Sequence, residues 1–250
     1  MNNQEILEKV DKLVQMYQKG LLGGEVMPED SNPHLSKEKV DNYNYYTLPM
    51  ALNYQRNSYK VCESANQTWN DKETNFVFDI RKVSESNFEQ VQKALVKYKV
   101  ALQPNKQTEI WIKLCNTINE LFDGDIRILF QENDYDVNKI RNYTQKENKA
   151  KFPYLSGNKI CNYWLYVLYQ YTDIKFNNIE ELTVAPDTHV VKASYKLGII
   201  TEKELSSSNV QLIVIDRWNE ILKGTKYHPI DIHTPMWLWS RNGFIDLIGG

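Results

Sequence analysis

Apolar side chains recur at every third or fourth position along almost the whole chain, and a two-residue alternation is sustained nowhere. A strand turns one face inward every second residue and a helix every 3.6, so only packed helices bury what this sequence offers. Ile6, Leu7, Val10, Leu13, Val14 and Tyr17 form one such stripe, stopped by Gly20, and residues 21–34 with Gly23, Gly24, Pro28 and Pro33 read as a loop. Further helices are predicted over 49–69, 87–100, 107–122 (ended by Asp123-Gly124), 136–145 and 157–171. Two more cover 188–197, closed by Gly198, and 209–222, closed by Gly224. Phe76-Val77-Phe78 is the only strand-like run besides 197–201, and the latter reads better as a helix end. No internal repeat or low-complexity tract interrupts the pattern. The expected class is all-α.

A chain of 250 residues is long enough for one large domain or two small lobes with a real core. Its 42% hydrophobic and 25% charged residues match a soluble globular protein. No apolar run approaches the roughly 18 residues of a membrane span. The opening MNNQEILEKVDKLVQMYQKG mixes charge with helical apolar spacing, unlike a signal peptide, so a cytoplasmic location is expected, nucleoid-associated in a prokaryote. Cys62, Cys115 and Cys161 are odd in number and widely spaced. That fits neither a disulfide framework nor a zinc pattern, and an iron–sulfur cluster held by thiolates needs four, so buried thiols and no cofactor are expected. A net charge of −2 is neutral on nucleic acid, but residues 138–159 hold Lys139, Arg141, Lys146, Lys149, Lys151 and Lys159 against Glu147 alone. Such a stretch suits phosphates and equally suits a solvated helix face.

Two segments carry candidate chemistry. Phe152-Pro153-Tyr154-Leu155-Ser156-Gly157-Asn158-Lys159 is a tight turn leading to a lysine at the opening of an apolar helix. Ala185-Pro186-Asp187-Thr188-His189-Val190 sets an aspartate at the start of another. Taken singly, each has a plain structural explanation. Glycine turns before helices are common, and an aspartate at that position is a good N-cap, worth about 1 kcal/mol whatever else it does.

Together, Gly157-Asn158-Lys159 and Pro186-Asp187-Thr188-His189-Val190 resemble the helix-hairpin-helix–Gly/Pro–Asp DNA glycosylases. Tyr195-Lys196-Leu197-Gly198 fits that family's basic–Leu–Gly helix ending, and the likeness covers roughly residues 45–200. This hairpin has one glycine where the family's usual Leu-Pro-Gly-x-Gly-x-Lys has two, and one extra residue after Pro153. Asp187 follows Lys159 by 28 positions, longer than in the best-known members, and the C-terminal four-cysteine cluster is missing, which is closer in character to the archaeal 8-oxoguanine glycosylase branch. The resemblance implies a two-lobed helical bundle with a helix-hairpin-helix motif and an active-site cleft between the lobes. Residues 1–70 with 185–250 would form one lobe and 71–184 the other. It implies Lys159 and Asp187 as catalytic residues, Ser156, Gly157 and Asn158 on a DNA phosphate, and Gln55 or Asn57 filling the gap left by an extruded nucleotide. The partner implied is double-stranded DNA carrying a damaged base, bound by a monomer.

The chemistry calls for these residue types. A base inside a duplex is reached only by flipping its nucleotide out. Cleavage of the glycosidic bond passes through a cationic sugar that a carboxylate stabilises and a neutral amine captures at C1′ as an imine. A lysine has a pKa of about 10.4 in water, so it needs desolvation or a proton acceptor; Tyr163, Trp164 and Tyr166 are expected to supply the first and Asp187 the second. The segment 226–241 crowds His228, Asp231, His233, Trp237 and Trp239 together. His228 and His233 have no helical register for a metal, and no metal is expected. The tryptophans belong either to the core or to a base-recognition wall, with Trp237 or Trp239 on the ring face and Asp231 on the ring edge. The expected activity is excision of 8-oxoguanine with abasic-site lyase activity. Another lesion (uracil, mismatched thymine, an alkylated base), a non-catalytic helix-hairpin-helix DNA-binding protein and a helical scaffold are the alternatives.

Overall fold

The computed structural model describes residues 3–23, 27–54 and 56–247. Among these, thirteen α-helices account for the regular structure together with short 3₁₀ and π turns, and no strand is present beyond one isolated bridge between Asp136 and Asn177. The fold class is all-α. No helix among the described residues is long and apolar enough to cross a membrane.

The chain divides into two compact units, one made of Met1–Val26 with Glu180–Gly250, the other of Met27–Ile179. Residues 27–70, grouped with the termini in the sequence reading, belong instead to the middle unit. The reason is in the packing of α2 (Val40–Thr47): Asn42 donates to the Tyr171 carbonyl at 2.9 Å and Tyr43 to Asp173 at 2.7 Å.

The middle unit runs α2, α3 (Ser58–Asn70), α4 (Ile80–Glu85), α5 (Phe88–Lys97), α6 (Pro104–Phe122), α7 (Arg127–Glu132), α8 (Val137–Asn142) and α9 (Asn158–Tyr171), each label following α1 (Asn3–Gln18) of the terminal unit. α6 shows why the sequence folds so. Pro104 opens it where the missing N–H costs nothing, and its buried stripe is Ile110, Trp111, Leu114, Cys115, Ile118 and Phe122. Asp123 and Gly124 then close it with φ of 47° and 77°, a left-handed reversal that glycine adopts freely. The core is aromatic: Phe78 stacks on Tyr45 at 5.4 Å and meets Trp69 and Trp111 edgewise or tilted, while Trp111 donates to the Val77 carbonyl at 2.8 Å. Phe76-Val77-Phe78 belongs to a 3₁₀ turn, Asn75–Phe78, rather than to a strand.

The terminal unit packs α1 with α10 (Thr188–Lys196), α11 (Glu202–Leu205), α12 (Val210–Leu222) and α13 (His233–Arg241). Ile6, Val10, Leu13 and Val14 are buried as their spacing requires. Trp218 is fully buried and donates to Ser194 Oγ at 2.9 Å, tying α12 to α10. α10 ends at Gly198, whose φ of 80° lets the chain turn away.

Three expectations need correction. The helix expected over 49–69 is a 3₁₀ turn, Pro49–Leu52, a break, and then α3. Polar side chains stabilise the break: Asn53 donates to Ser58 Oγ at 3.2 Å, and Asn57 caps α3 by accepting from the Lys60 N–H. The short helix expected over 136–145 is α8 followed by a π turn, Tyr143–Glu147. Of the three cysteines, all free, Cys115 and Cys161 are buried and Cys62 is half-buried.

Candidate functional site

In the terminal unit the site is built on the first turn of α10. Asp187 is its N-cap, and Oδ1 accepts from the His189 N–H at 2.9 Å and the Val190 N–H at 3.0 Å, two donors that a helix start leaves orphaned. Oδ2 is used differently: it accepts from Trp237 Nε1 at 2.9 Å. Trp237 is held in turn. His189 meets its ring edge-on at 5.5 Å, and the Arg241 guanidinium lies 5.2 Å from the ring centroid. His189 Nδ1 is 3.4 Å from Ser240 Oγ, a second link between α10 and α13. Asp187 is half-buried, and both its carboxylate oxygens are held by neighbours.

This placement changes the reading of 226–241. Its latter part is α13, with Pro235 tolerated because it falls in the first turn. Trp237 grips Asp187 and Trp239 is only 4% exposed, its Nε1 donating to the Ile245 carbonyl and its ring edge-on to Phe244. Trp239 therefore packs as core and offers no free ring face. Asp231 Oδ2 accepts from the His228 N–H at 2.8 Å as part of a capping box. His233 is buried, with Nδ1 accepting from the Ala185 N–H at 3.3 Å. Among the described residues no group of three or more His, Cys, Asp or Glu side chains is placed to hold a metal.

In the middle unit, Lys159 stands in the first turn of α9, exposed, and no ion pair or hydrogen bond engages its ammonium among the described residues. The expected desolvation is not there. Trp164 is fully buried with Nε1 on Thr47 Oγ1 at 3.0 Å, Tyr166 is buried, and the Tyr163 hydroxyl donates to Glu29 at 2.8 Å. These rings serve the core of the unit, because an apolar helix face is worth more buried than shading one amine.

The turn before Lys159 also departs from expectation. Leu155, Ser156 and Gly157 donate their N–H groups to the carbonyls of Pro153, Phe152 and Tyr154 at 2.8, 3.0 and 2.9 Å. A phosphate seat made of those three donors is thus occupied by the turn itself, and Ser156 is buried. Gly157 caps α9 without a side-chain hydrogen bond, so the donors pointing outward belong to the first turn, at Asn158, Lys159 and Ile160. α8 and α9 are tied by Arg141 to Asn162 Oδ1, with Thr144 Oγ1 3.7 Å from Cys161 Sγ. Of the basic stretch, Lys139 pairs with Asp134 at 2.6 Å, while Lys146, Lys149 and Lys151 are exposed.

No protein-family model and no curated protein matches this chain.

Gln55 lies outside the described residues, but its neighbours are placed. Tyr54 pairs with Tyr154 of the turn, ring centroids 5.4 Å apart, and Lys106 lies 5.6 Å from the Tyr154 centroid. The Asn53–Asn57 break and the turn before Lys159, a hundred positions apart, are therefore neighbours within one unit. Sequence reasoning passed over Tyr54, Tyr154 and Lys106, since nothing local marks a tyrosine that will meet another so far along the chain. Trp237 as a ligand of Asp187 was equally hidden.

Proposed function

We propose that this protein is a base-excision DNA glycosylase with associated abasic-site lyase activity, in the manner of the helix-hairpin-helix glycosylases it resembles. The observation that carries the reading is Asp187: on this half-buried residue one oxygen caps a helix, and the other is held by an indole N–H. A fixed negative charge of that kind stabilises a cationic sugar without reorganising. Lys159 supplies the amine. Lys159 is exposed in the free protein, so its cover has to come from the DNA itself, which makes substrate closure part of its activation. The helix-hairpin-helix and a cleft that brings both groups to one sugar belong to this proposal, with α8, the turn 152–157 and α9 as the motif. The substrate is double-stranded DNA, and 8-oxoguanine is the proposed lesion.

The exposure of Lys159 favours a second reading, a monofunctional glycosylase in which Asp187 directs water and no imine forms. Borohydride trapping on duplex with an abasic site separates the two. A covalent adduct that Lys159→Gln abolishes, with DNA binding retained, is the expected result; base release without any adduct establishes the monofunctional enzyme. Binding with neither adduct nor release would leave a DNA-binding protein without catalysis. Single-turnover excision across duplexes with 8-oxoguanine, uracil, hypoxanthine, a G·T mismatch and an alkylated adenine tests the lesion. Preference for uracil or mismatched thymine by about tenfold or more, roughly the discrimination one pocket contact supplies, overturns 8-oxoguanine alone.

A further inference from the structure

Tyr54 and Tyr154 form an aromatic pair that does little for the fold. Tyr54 is 52% exposed, its ring 5.4 Å from that of Tyr154 and tilted by 38°. Tyr154 holds φ at 61°, in the left-handed region that glycine and asparagine tolerate and a bulky aromatic does not favour. Tyr135 and Phe244 hold similar φ values of 55° and 60°, so what sets Tyr154 apart is that it faces a second tyrosine left half in water. Lys106, in the first turn of α6, sets its ammonium over the Tyr154 ring at 5.6 Å. In sequence, residues 53–57 and 152–159 carry amides, hydroxyls and cations and no carboxylate. Arg56 itself is committed, since its guanidinium donates to the carbonyls of Lys99 and Val100 and locks the break against the end of α5.

We infer that Tyr54 and Tyr154, with Lys106 beside them, are a stacking platform for an unstacked base of a DNA strand. The inference rests on the DNA part of the reading above and adds where a strand opened by nucleotide extrusion is gripped. Every base has a π face, so a tyrosine platform holds an exposed base of any sequence, and the neighbouring ammonium meets the phosphate that comes with it. The absence of acidic groups from both stretches of sequence is the charge pattern a polyanion requires. It also leaves no carboxylate for the hydroxyls of a sugar polymer.

The probe is 2-aminopurine, whose fluorescence falls when it stacks, placed in a single-stranded oligonucleotide and opposite a tetrahydrofuran abasic analogue in duplex. The intact protein is expected to quench both. Tyr54→Ala should abolish the quenching and weaken binding to the abasic duplex by about 5- to 150-fold, the range for losing one base–aromatic stack, with much less effect on intact duplex. Tyr54→Phe should behave as the parent, and Lys106→Gln should weaken all DNA binding and flatten its salt dependence. Quenching by Tyr54→Ala equal to the parent's, with an unchanged melting temperature, overturns the platform, as does a parent protein that binds without quenching. Quenching without excision of any lesion would sink the enzyme and keep the platform. Excision with an unquenched probe would do the reverse.

Discussion

Asp187 divides its two oxygens between the helix cap and the Trp237 indole, and the division makes the cap separable from the proposed chemistry. Asp187→Asn keeps an oxygen for the His189 and Val190 N–H groups, so the cap should survive with a loss of under about 1 kcal/mol. On the proposed mechanism the charge that stabilises the cation goes, and base release should slow by about 100-fold or more. Trp237→Phe does the opposite: the charge stays, the ring still packs against His189 and Arg241, and the Nε1 donor to Oδ2 is lost. A looser carboxylate should lower the single-turnover rate by about tenfold with little change in DNA affinity. Measured side by side, a drop in melting temperature with full activity in Asp187→Asn would reduce the residue to a cap. Equal rates for Trp237→Phe and the parent would remove the indole from the site.

At the scale of elements, the 3₁₀ turn Pro28–Asp30 is tied to α9 by two hydrogen bonds. Glu29 is 2% exposed and accepts from the Tyr163 hydroxyl at 2.8 Å, while Asp30 accepts from the Tyr171 hydroxyl at 2.9 Å. Burial lifts the Glu29 carboxyl to about 7; the Tyr163 hydroxyl and a backbone donor pull it down without cancelling the desolvation, and Asp30 adds to the rise. The folded chain therefore holds this proton where the unfolded chain has released it. Stability is complete below the unfolded carboxyl range near 4.5 and declines as pH rises towards about 7, with no further loss beyond. The total is on the order of 3 kcal/mol. Glu29→Gln keeps an acceptor for Tyr163 and removes the titration, so its melting temperature should be flat over that window and exceed the parent's at pH 8. A parent whose melting temperature is level between pH 5 and 8 would show that Glu29 ionises as it does in water.

At the scale of the whole molecule, the first segment of the chain completes a unit whose other elements come from its last third. α1 contributes Ile6, Val10, Leu13 and Val14 to that core, and Asn242 of the turn after α13 donates to the Leu22 carbonyl. Burial of four such side chains is worth about 6–12 kcal/mol in all, comparable with the whole stability of a domain. Deleting residues 1–23 should therefore unfold the terminal unit, read as loss of near-ultraviolet circular dichroism from Trp218, Trp237 and Trp239. The middle unit has its own tryptophan core at Trp111 and Trp164, and its far-ultraviolet helix signal should remain. A truncated chain with an unchanged near-ultraviolet spectrum would show that α1 is dispensable.

The all-α class, most helix positions and the capping role of Asp187 were legible because they depend on neighbours one to four residues away. Periodicity, a closing Asp123-Gly124 or Gly198, and an aspartate ahead of Thr188 all act through local hydrogen bonds and local backbone sterics. α2 escaped that reading, since Val40–Thr47 is rich in asparagine and tyrosine and its burial comes from distant partners such as Tyr171 and Asp173. α13 escaped it for a similar reason, with a half-buried Trp237 and a buried Trp239 behind a proline. Packing alone decided that Trp237 would hold Asp187, that Trp239 would be core, and that Lys159 would stand in solvent. It also decided that Tyr54 would meet Tyr154 across a hundred residues. Contacts of that span are set by which helix faces bury together, a free-energy balance over the whole chain that leaves no mark on the residues beside any one of them.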